Sequence, residues 1–316
     1  MHIVVIMDPV STVQAEGDTT FALMEEAERR GHRVDHCLNT DLYLERSRVH
    51  ARVARATMQR TAATPIALAA QEDISLHDVD VVFVRTDPPF DDNYLWCTLL
   101  LDHVKAETLV LNDPHGLRQA NEKLYACKFP DLMPETIVTS HKARIKEFLT
   151  RVGGHAVIKP LGGRGGEGVL VLKTGDPNIN AIIEATTLEG RRSAMVQTFL
   201  PEVKIGDKRI LVLDGEPLGA VLRVPSSDDI RSNLRVGGRA AKTELEPVDL
   251  HIVKTLAPSL RADGLFFVGI DVIGGKLTEV NVTSPTGIQS IQRLDQKPVC
   301  ATVIEWMERR VAQRAS

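Results

Sequence analysis

Three groups of residues in this chain have the types and spacing for phosphate and metal chemistry. The first is the run Gly162-Gly163-Arg164-Gly165-Gly166-Glu167-Gly168. It contains a formal GxGxxG from Gly163 to Gly168, but VLVLK follows and reads as a strand, where the dinucleotide fingerprint needs a helix. No GK[ST] occurs, which excludes a Walker P-loop. A glycine loop between two strands can instead fold over ATP phosphates, presenting backbone N–H groups with no Cβ in the way; alone, it reads equally as a flexible hairpin. The second group is Lys159, ending the strand-like run AVIK just before the loop, and Lys123 upstream in NEKLY. Lys159 is placed to meet a phosphate as a point charge. The third is VGIDVIGGKLTEVNV, which carries Asp271, Glu279 and Asn281. Glu279 and Asn281 are two apart on a strand and share a face. Oxygen donors of this kind suit Mg²⁺ bridging nucleotide phosphates, although solvated strand residues would look the same. A two-residue Gly274-Gly275 loop would oppose Asp271 to Thr278, on the wrong face. A three-residue loop with a glycine bulge would oppose it to Glu279, and that is the expected arrangement.

The elements that must position these groups follow from periodicity. Residues 2–7 (HIVVIM) read as a strand, and Asp18 as the cap of a helix over 19–30 that Gly31 stops. Further buried strands are expected over 33–37, 80–85 and 108–111, with helical stretches between them. That alternation predicts an open parallel α/β domain over 1–120. From Asn121 the pattern changes. A helix carries Glu122 and Lys123, another covers 142–152, and strand, glycine loop and strand over 156–173 form a hairpin rather than a βαβ unit. Strands over 208–213 and 217–223, a polar loop over 224–239, a helix over 248–261, a hairpin over 265–282 and a helix over 298–310 complete the chain.

Composition narrows the class. The 316 residues carry 38 Lys+Arg and 42 Asp+Glu, a net charge of −4, which argues against a nucleic-acid partner. Hydrophobic residues at 43% and charged residues at 25% are a globular mix. No apolar run reaches the roughly 18 residues of a membrane span. The start MHIVVIMDP has no basic n-region, so neither signal peptide nor membrane partner is expected, and the cytoplasm is the expected location. Cys37, Cys97, Cys127 and Cys300 fit no zinc ribbon or disulfide framework, and His32 and His36 lack a third metal ligand nearby. Asn281-Val282-Thr283 is a glycosylation sequon that this location leaves unused.

Together these residues resemble the ATP-grasp superfamily and, within it, the bacterial glutathione synthetases. The resemblance rests on VIMDP (5–9), VRTDPPFD (84–91), NEKLY (121–125), PET (134–136), IKPLGGRGG (158–166), GDKRILVLDGEP (206–217), SNLRVGGR (232–239) and FVGIDVIGGKLTEVNVTSPTG (267–287). It implies an N-terminal α/β (pre-ATP-grasp) domain over 1–120, then a two-lobed ATP-grasp fold with a central lid domain over 121–200 and a C-terminal domain over 201–316. It implies ATP with Mg²⁺ (Mn²⁺ as a substitute), a homotetramer, and ligation of γ-L-glutamyl-L-cysteine to glycine through an acyl phosphate.

The resemblance also implies roles. Lys123, Lys159 and the loop glycines Gly162, Gly163, Gly165 and Gly166 would hold phosphates, and Asp271, Glu279 and Asn281 the metal. Asp207 and Lys208 would lie near the ribose, and Gln197, Phe199 and Leu200 would meet adenine. Arg209, Arg223 and Arg239 would read the anionic substrate. Asp87, Ser284 and the 285–286 backbone would meet one of its ends, and the loop over 224–239 would close as a lid. Two departures touch the peptide side: Thr86 stands where the family often has lysine, and Gly287 where relatives carry another small residue. Other ATP-grasp carboxylate–amine ligases, such as D-alanine or α-L-glutamate ligases, and a non-catalytic ATP-binding module are the competing readings.

Overall fold

The computed structural model describes residues 1–163, 165–226 and 237–315. Arg164 and residues 227–236 lie outside the described residues, and with them most of the segment expected as a lid. Three sheets organise the chain. The first contains β1 (His2–Ile6), β2 (Arg33–Cys37), β3 (Leu42–Glu45), β4 (Arg48–Met58), β5 (Ile66–Ser75), β6 (Val81–Val84) and β7 (Leu109–Leu111), with α1 (Thr19–Arg29), α2 (Asp92–Leu101) and α3 (Pro114–Gln119) interspersed. β2, β1, β6 and β7 run parallel, as the β-branched apolar runs predict for strands buried on both faces. Asp18 caps α1 by accepting the Phe21 N–H at 2.8 Å.

The helices expected between residues 37 and 80 are not there. β3, β4 and β5 form an antiparallel meander instead, so the sheet is mixed. The alanines and arginines of β4 favour helix individually. However, Val49, Ala51 and Val53 are buried while Arg48 and Arg52 are exposed, a period of two that only a strand can place against this core. The expected helix at Glu122 is a single turn, in which Asn121 Oδ1 accepts the N–H groups of Lys123 at 3.1 Å and Leu124 at 3.0 Å.

The second sheet has the order β10-β9-β11-β8 and is antiparallel, built from β8 (Thr136–Thr139), β9 (His155–Pro160), β10 (Leu170–Lys173) and β11 (Ala194–Thr198). α4 (Lys142–Arg151) and α5 (Ile179–Thr187) cover one face. Ala156, Ile158, Leu172, Ala194 and Val196 meet Phe148 and Ile183 there. The alternate residues Val157, Lys159 and Gln197 are therefore turned to the other face. β9 and β10 form the expected hairpin.

The third sheet has the order β14-β13-β12-β15-β16, from β12 (Asp207–Leu213), β13 (Glu216–Val224), β14 (Arg239–Lys242), β15 (Phe267–Ile273) and β16 (Lys276–Asn281). α6 (Pro247–Ala262) packs on one face, and α7 (Ile288–Asp295) and α8 (Val299–Ala315) follow. α8 docks on α1. Phe21 and Met24 share a core with Val303 and Met307, and Glu308 accepts from Arg30 at 2.9 Å and pairs with His32 at 2.8 Å. No helix among the described residues is long and apolar enough to cross a membrane.

Candidate active site

The hairpin β15–β16 sets the register of the acidic group. Its turn is two residues long, Gly274-Gly275, with φ of 56° and 73° that glycine adopts without strain. A two-residue loop alone would oppose Asp271 to Thr278. Instead the register slips after Val272↔Leu277, Thr278 is the extra residue, and Asp271 pairs with Glu279. The expected pairing is therefore present, but the three-residue loop is not: an in-strand bulge replaces it. The Thr278 hydroxyl donates to the Asp271 carbonyl at 3.1 Å, bonding a backbone group beside the disrupted ladder.

Register now decides which side chains converge. β12 pairs Asp207 with Arg223 and Arg209 with Asp271, so Asp207, Arg209, Arg223, Asp271, Glu279 and Asn281 all stand on one face. Together with Lys123, Lys159, Gly163, Gly165, Gly166, Gln197, Phe199 and Leu200 they line a cleft of about 990 Å³ between the second and third sheets. Val157, Val169, Val203 and Ile273 supply its apolar wall. Phe199 stacks on His155 at 3.9 Å between ring centroids.

Lys123 is buried. It donates to the Gly163 carbonyl at 2.8 Å and pairs with Glu279 at 3.1 Å, tying the glycine loop to the acidic hairpin. Lys159 donates to Gln197 Oε1 at 2.7 Å, and Gln197 in turn donates to Thr136 at 3.1 Å. Burial holds the Lys159 ammonium below the usual lysine range, while Glu279 acts against that shift.

Arg209 grips Asp271 with Nε at 2.5 Å and Nη2 at 3.0 Å, and Arg223 reaches Asp271 at 2.9 Å and Asp207 at 2.5 Å. Burial alone would raise the Asp271 carboxyl. The two guanidiniums overcome it and hold that group well below the carboxylate range. Asp207 goes the other way: burial pushes it up to about 6 despite Arg223. Glu122, half-buried beside Glu279 and bonded by the Thr283 hydroxyl at 2.8 Å, is pushed up to about 7 by desolvation and by the Glu279 charge.

Three expected site residues depart from expectation. Lys208 alternates with Asp207 and Arg209, so it faces α6, where it pairs with Asp249 at 2.6 Å. Arg239 is exposed at the start of β14, opposite Val224 and on the reverse face from Arg223. Gly162 precedes the part of the loop that lines the cleft.

The donor set fits a divalent cation. His, Cys, Asp and Glu by themselves form no three-residue metal cage among the described residues. The group here is mixed, with two carboxylates and an amide on one face, all hard oxygen donors. The Asn281 amide nitrogen donates to Gly269 and Asp271, each at 3.3 Å, which leaves its oxygen as the donor toward a cation.

A second cleft, of about 1780 Å³, opens between the first and third sheets. Asp8, Arg85, Asp87, Ser284 and Thr286 line it, and so do Arg209 and Arg223, which thus form a wall common to both clefts. Reasoning from the sequence placed Asp87, Ser284 and residue 286 near the substrate and missed Asp8 and Arg85. The signal for Arg85 was a charge directly after an apolar strand with four buried residues.

The chain matches known proteins over most of its length. Residues 1–118 match the N-terminal domain of prokaryotic glutathione synthetase, and residues 122–296 match its ATP-grasp domain. The chain belongs to the prokaryotic glutathione synthetase family. Among the family's curated members, glutathione synthetase of Gloeobacter violaceus is 47% identical over 97% of this chain and 96% of its own. That of Nostoc sp. is 46% identical over 98% of each. The D-cycloserine synthetase DcsG structure aligns over 98% of this chain and 99% of its own with a TM-score of 0.68 at 15% identity, a likeness of fold alone. The match to an ATP-grasp domain spans residues 122–296, which include every residue that lines the first cleft.

Proposed function

We propose that this chain ligates γ-L-glutamyl-L-cysteine to glycine with ATP, giving glutathione, ADP and phosphate. The observation that carries the reading is the wall of Arg209 and Arg223 between the two clefts. A nucleotide in the first cleft and an acid in the second would present their reacting ends to the same guanidiniums.

A carboxylate is a poor acyl donor because oxide is a poor leaving group. Lys123, Lys159 and the N–H groups of the glycine loop hold the ATP phosphates. Arg209 and Arg223 bring the cysteinyl carboxylate to the γ-phosphorus. Its oxygen attacks, ADP leaves, and an acyl phosphate forms. The same arginines neutralise charge on the transferring group, so positioning and electrostatics supply most of the acceleration. Glycine then attacks the acyl carbon as a free amine, the C–O bond to phosphate breaks, and the amine proton leaves to solvent. Asp271, Glu279 and Asn281 would hold Mg²⁺, with Mn²⁺ suited to the same oxygens, and such a cation neutralises phosphate charge. Gln197, Phe199 and Leu200 would meet the adenine, and Asp207 the ribose side.

The sheets support a division into domains over 1–120, 121–200 and 201–316. A homotetramer in the cytoplasm, with no nucleic-acid or membrane partner, completes the reading. The test is ADP release across a panel of acids and amines. Release that needs both γ-glutamylcysteine and glycine supports the proposal; release with D-alanine, or with glutamate-tailed peptides, and not with this pair overturns it.

A further inference from the structure

The segment between β1 and α1 supplies nearly half the lining of the second cleft, through residues 7–9, 12–14 and 16–18. Glu16 and Gly17 also line a third cleft, of about 1760 Å³, along α1 and α7. The turn over 15–17 is therefore a partition between two open spaces. Two distant elements hold it. Gln289, in the first turn of α7, donates through Nε2 to the carbonyls of Ala15 at 2.9 Å and Asp18 at 2.6 Å. Arg60, in the connection between β4 and β5, donates through Nη1 to the same Ala15 carbonyl at 3.2 Å and to Gln289 Oε1 at 3.1 Å. Its other nitrogens grip Glu25 on α1, Nη2 at 2.5 Å and Nε at 3.0 Å, and its guanidinium carbon lies 4.9 Å from the Phe21 ring centroid. The Gln289 amide has one workable orientation, because the reverse would set its oxygen against two carbonyls and its nitrogen against a guanidinium. Gln289 also follows Thr286 and Gly287, which line the second cleft from the side of the third sheet. It thus ties one wall of that cleft to the other.

We propose that Gln289 and Arg60 are positioning residues that latch the 15–18 backbone from outside and so fix the width of the second cleft. The inference rests on the function proposed above, which puts the acid substrate in that cleft. Neither side chain lines the first or the second cleft, so neither touches a reactant there. Stability does not account for the arrangement. The Arg60 side chain is 40% exposed, and an exposed ion pair such as its pair with Glu25 contributes little to folding. Geometry is the larger effect, since a misplacement of about 1 Å can cost a bound reactant about 100-fold in rate. The atoms held are main-chain carbonyls at both ends of the turn. The latch therefore sets the path of the wall whatever side chains the wall carries. Arg60 in turn orients Gln289 by occupying its oxygen, which leaves the amide N–H groups for the two carbonyls.

The test measures ADP release, with KM taken separately for γ-glutamylcysteine and for ATP, alongside amide hydrogen exchange over residues 10–18. Gln289→Glu keeps the shape and still accepts from Arg60, but it turns an oxygen toward the two carbonyls. It should raise the KM for γ-glutamylcysteine by about tenfold and leave kcat and the KM for ATP within about twofold. Arg60→Ala should raise the same KM by about threefold, and Arg60→Lys, which keeps a donor and a charge near Glu25, should recover part of that. Exchange over 10–18 should quicken in Gln289→Glu and Arg60→Ala. A purely structural role would lower the active fraction, so that kcat falls while both KM values hold, and that result overturns the inference. Faster exchange with an unchanged KM for the acid overturns it too. Should Gln289→Glu not fold, Arg60→Ala at its exposed site decides alone. Failure of the unaltered chain to turn over γ-glutamylcysteine would sink the proposed function instead, and the latch would then be judged by the KM of whichever acid does release ADP.

Discussion

Arg209 holds Asp271 through two nitrogens on two oxygens, a bidentate pair closed off from water. The proposed metal ligand is thus also the counter-ion of a buried cation, and Arg223 adds a third bond. Asp271→Asn should lower the unfolding free energy of the ligand-free chain by about 3–5 kcal/mol, because it leaves guanidinium charge buried. Asn281→Ala, which removes only hydrogen bonds of the amide, should cost about 1 kcal/mol. Both should reduce ADP formation. The folded pKa of Asp271 lies below its unfolded value, so its stabilisation is present above about pH 4 and is lost as pH falls further. Urea titrations between neutral and acid pH should show that loss in the unaltered chain and a weaker one in Asp271→Asn.

Lys159 bears on nucleotide affinity at alkaline pH. Burial has lowered its pKa, so it gives up its proton before an ordinary lysine does. The kcat/KM for ATP, which reports the free enzyme, should therefore fall on the alkaline side below about pH 10. Lys159→Arg stays charged throughout and should remove that limb. An unchanged alkaline profile in the variant would assign the titration elsewhere.

Lys208 separates the sequence expectation from the structural placement. Its side chain is 11% exposed and its partner Asp249 is 1% exposed. Lys208→Met should cost about 2–4 kcal/mol by stranding a buried carboxylate. The KM for ATP should stay within twofold, whereas a ribose contact would raise it. Thermal unfolding and a KM measurement decide between the two.

Arg223 bridges Asp207 and Asp271 in the wall common to both clefts. Arg223→Ala should lower kcat by about 10²- to 10³-fold, the scale of one lost transition-state donor. Arg223→Lys should restore little, since a single nitrogen, Nη2, meets both carboxylates at the tip of the arginine, and the shorter lysine would not carry its ammonium to that point. A kcat that survives with only KM raised would place Arg223 in binding alone.

The parallel strands were legible because β-branched apolar runs have few other fates, and α1 because Asp18 and Gly31 mark its ends. β4 was not, since its arginines and alanines favour helix locally and only pairing with β5 makes the alternation count. Lys208 could have been placed: the period of two that aligned Glu279 with Asn281 also sets Lys208 against Asp207. The pairing of Asp271 with Glu279 was anticipated for the wrong reason. A bulge at Thr278 leaves no local signature, because its hydroxyl bonds a carbonyl on the neighbouring strand. Arg85 was hidden by its position, since nothing in DVVFVR tells a strand-ending surface arginine from one sealed between two phenylalanines.

The docking of α8 on α1 bears on the order of events at the ribosome. The first sheet is made before the third, but Arg30 and His32, just past the C-terminal end of α1, acquire their partner only when Glu308 emerges. Nascent chains usually mature from the N-terminus onward. Here α1 keeps an apolar side in contact with solvent, or with chaperones, until α8 has been made. A stall before α8 would thus leave unfinished a segment that was made long before it.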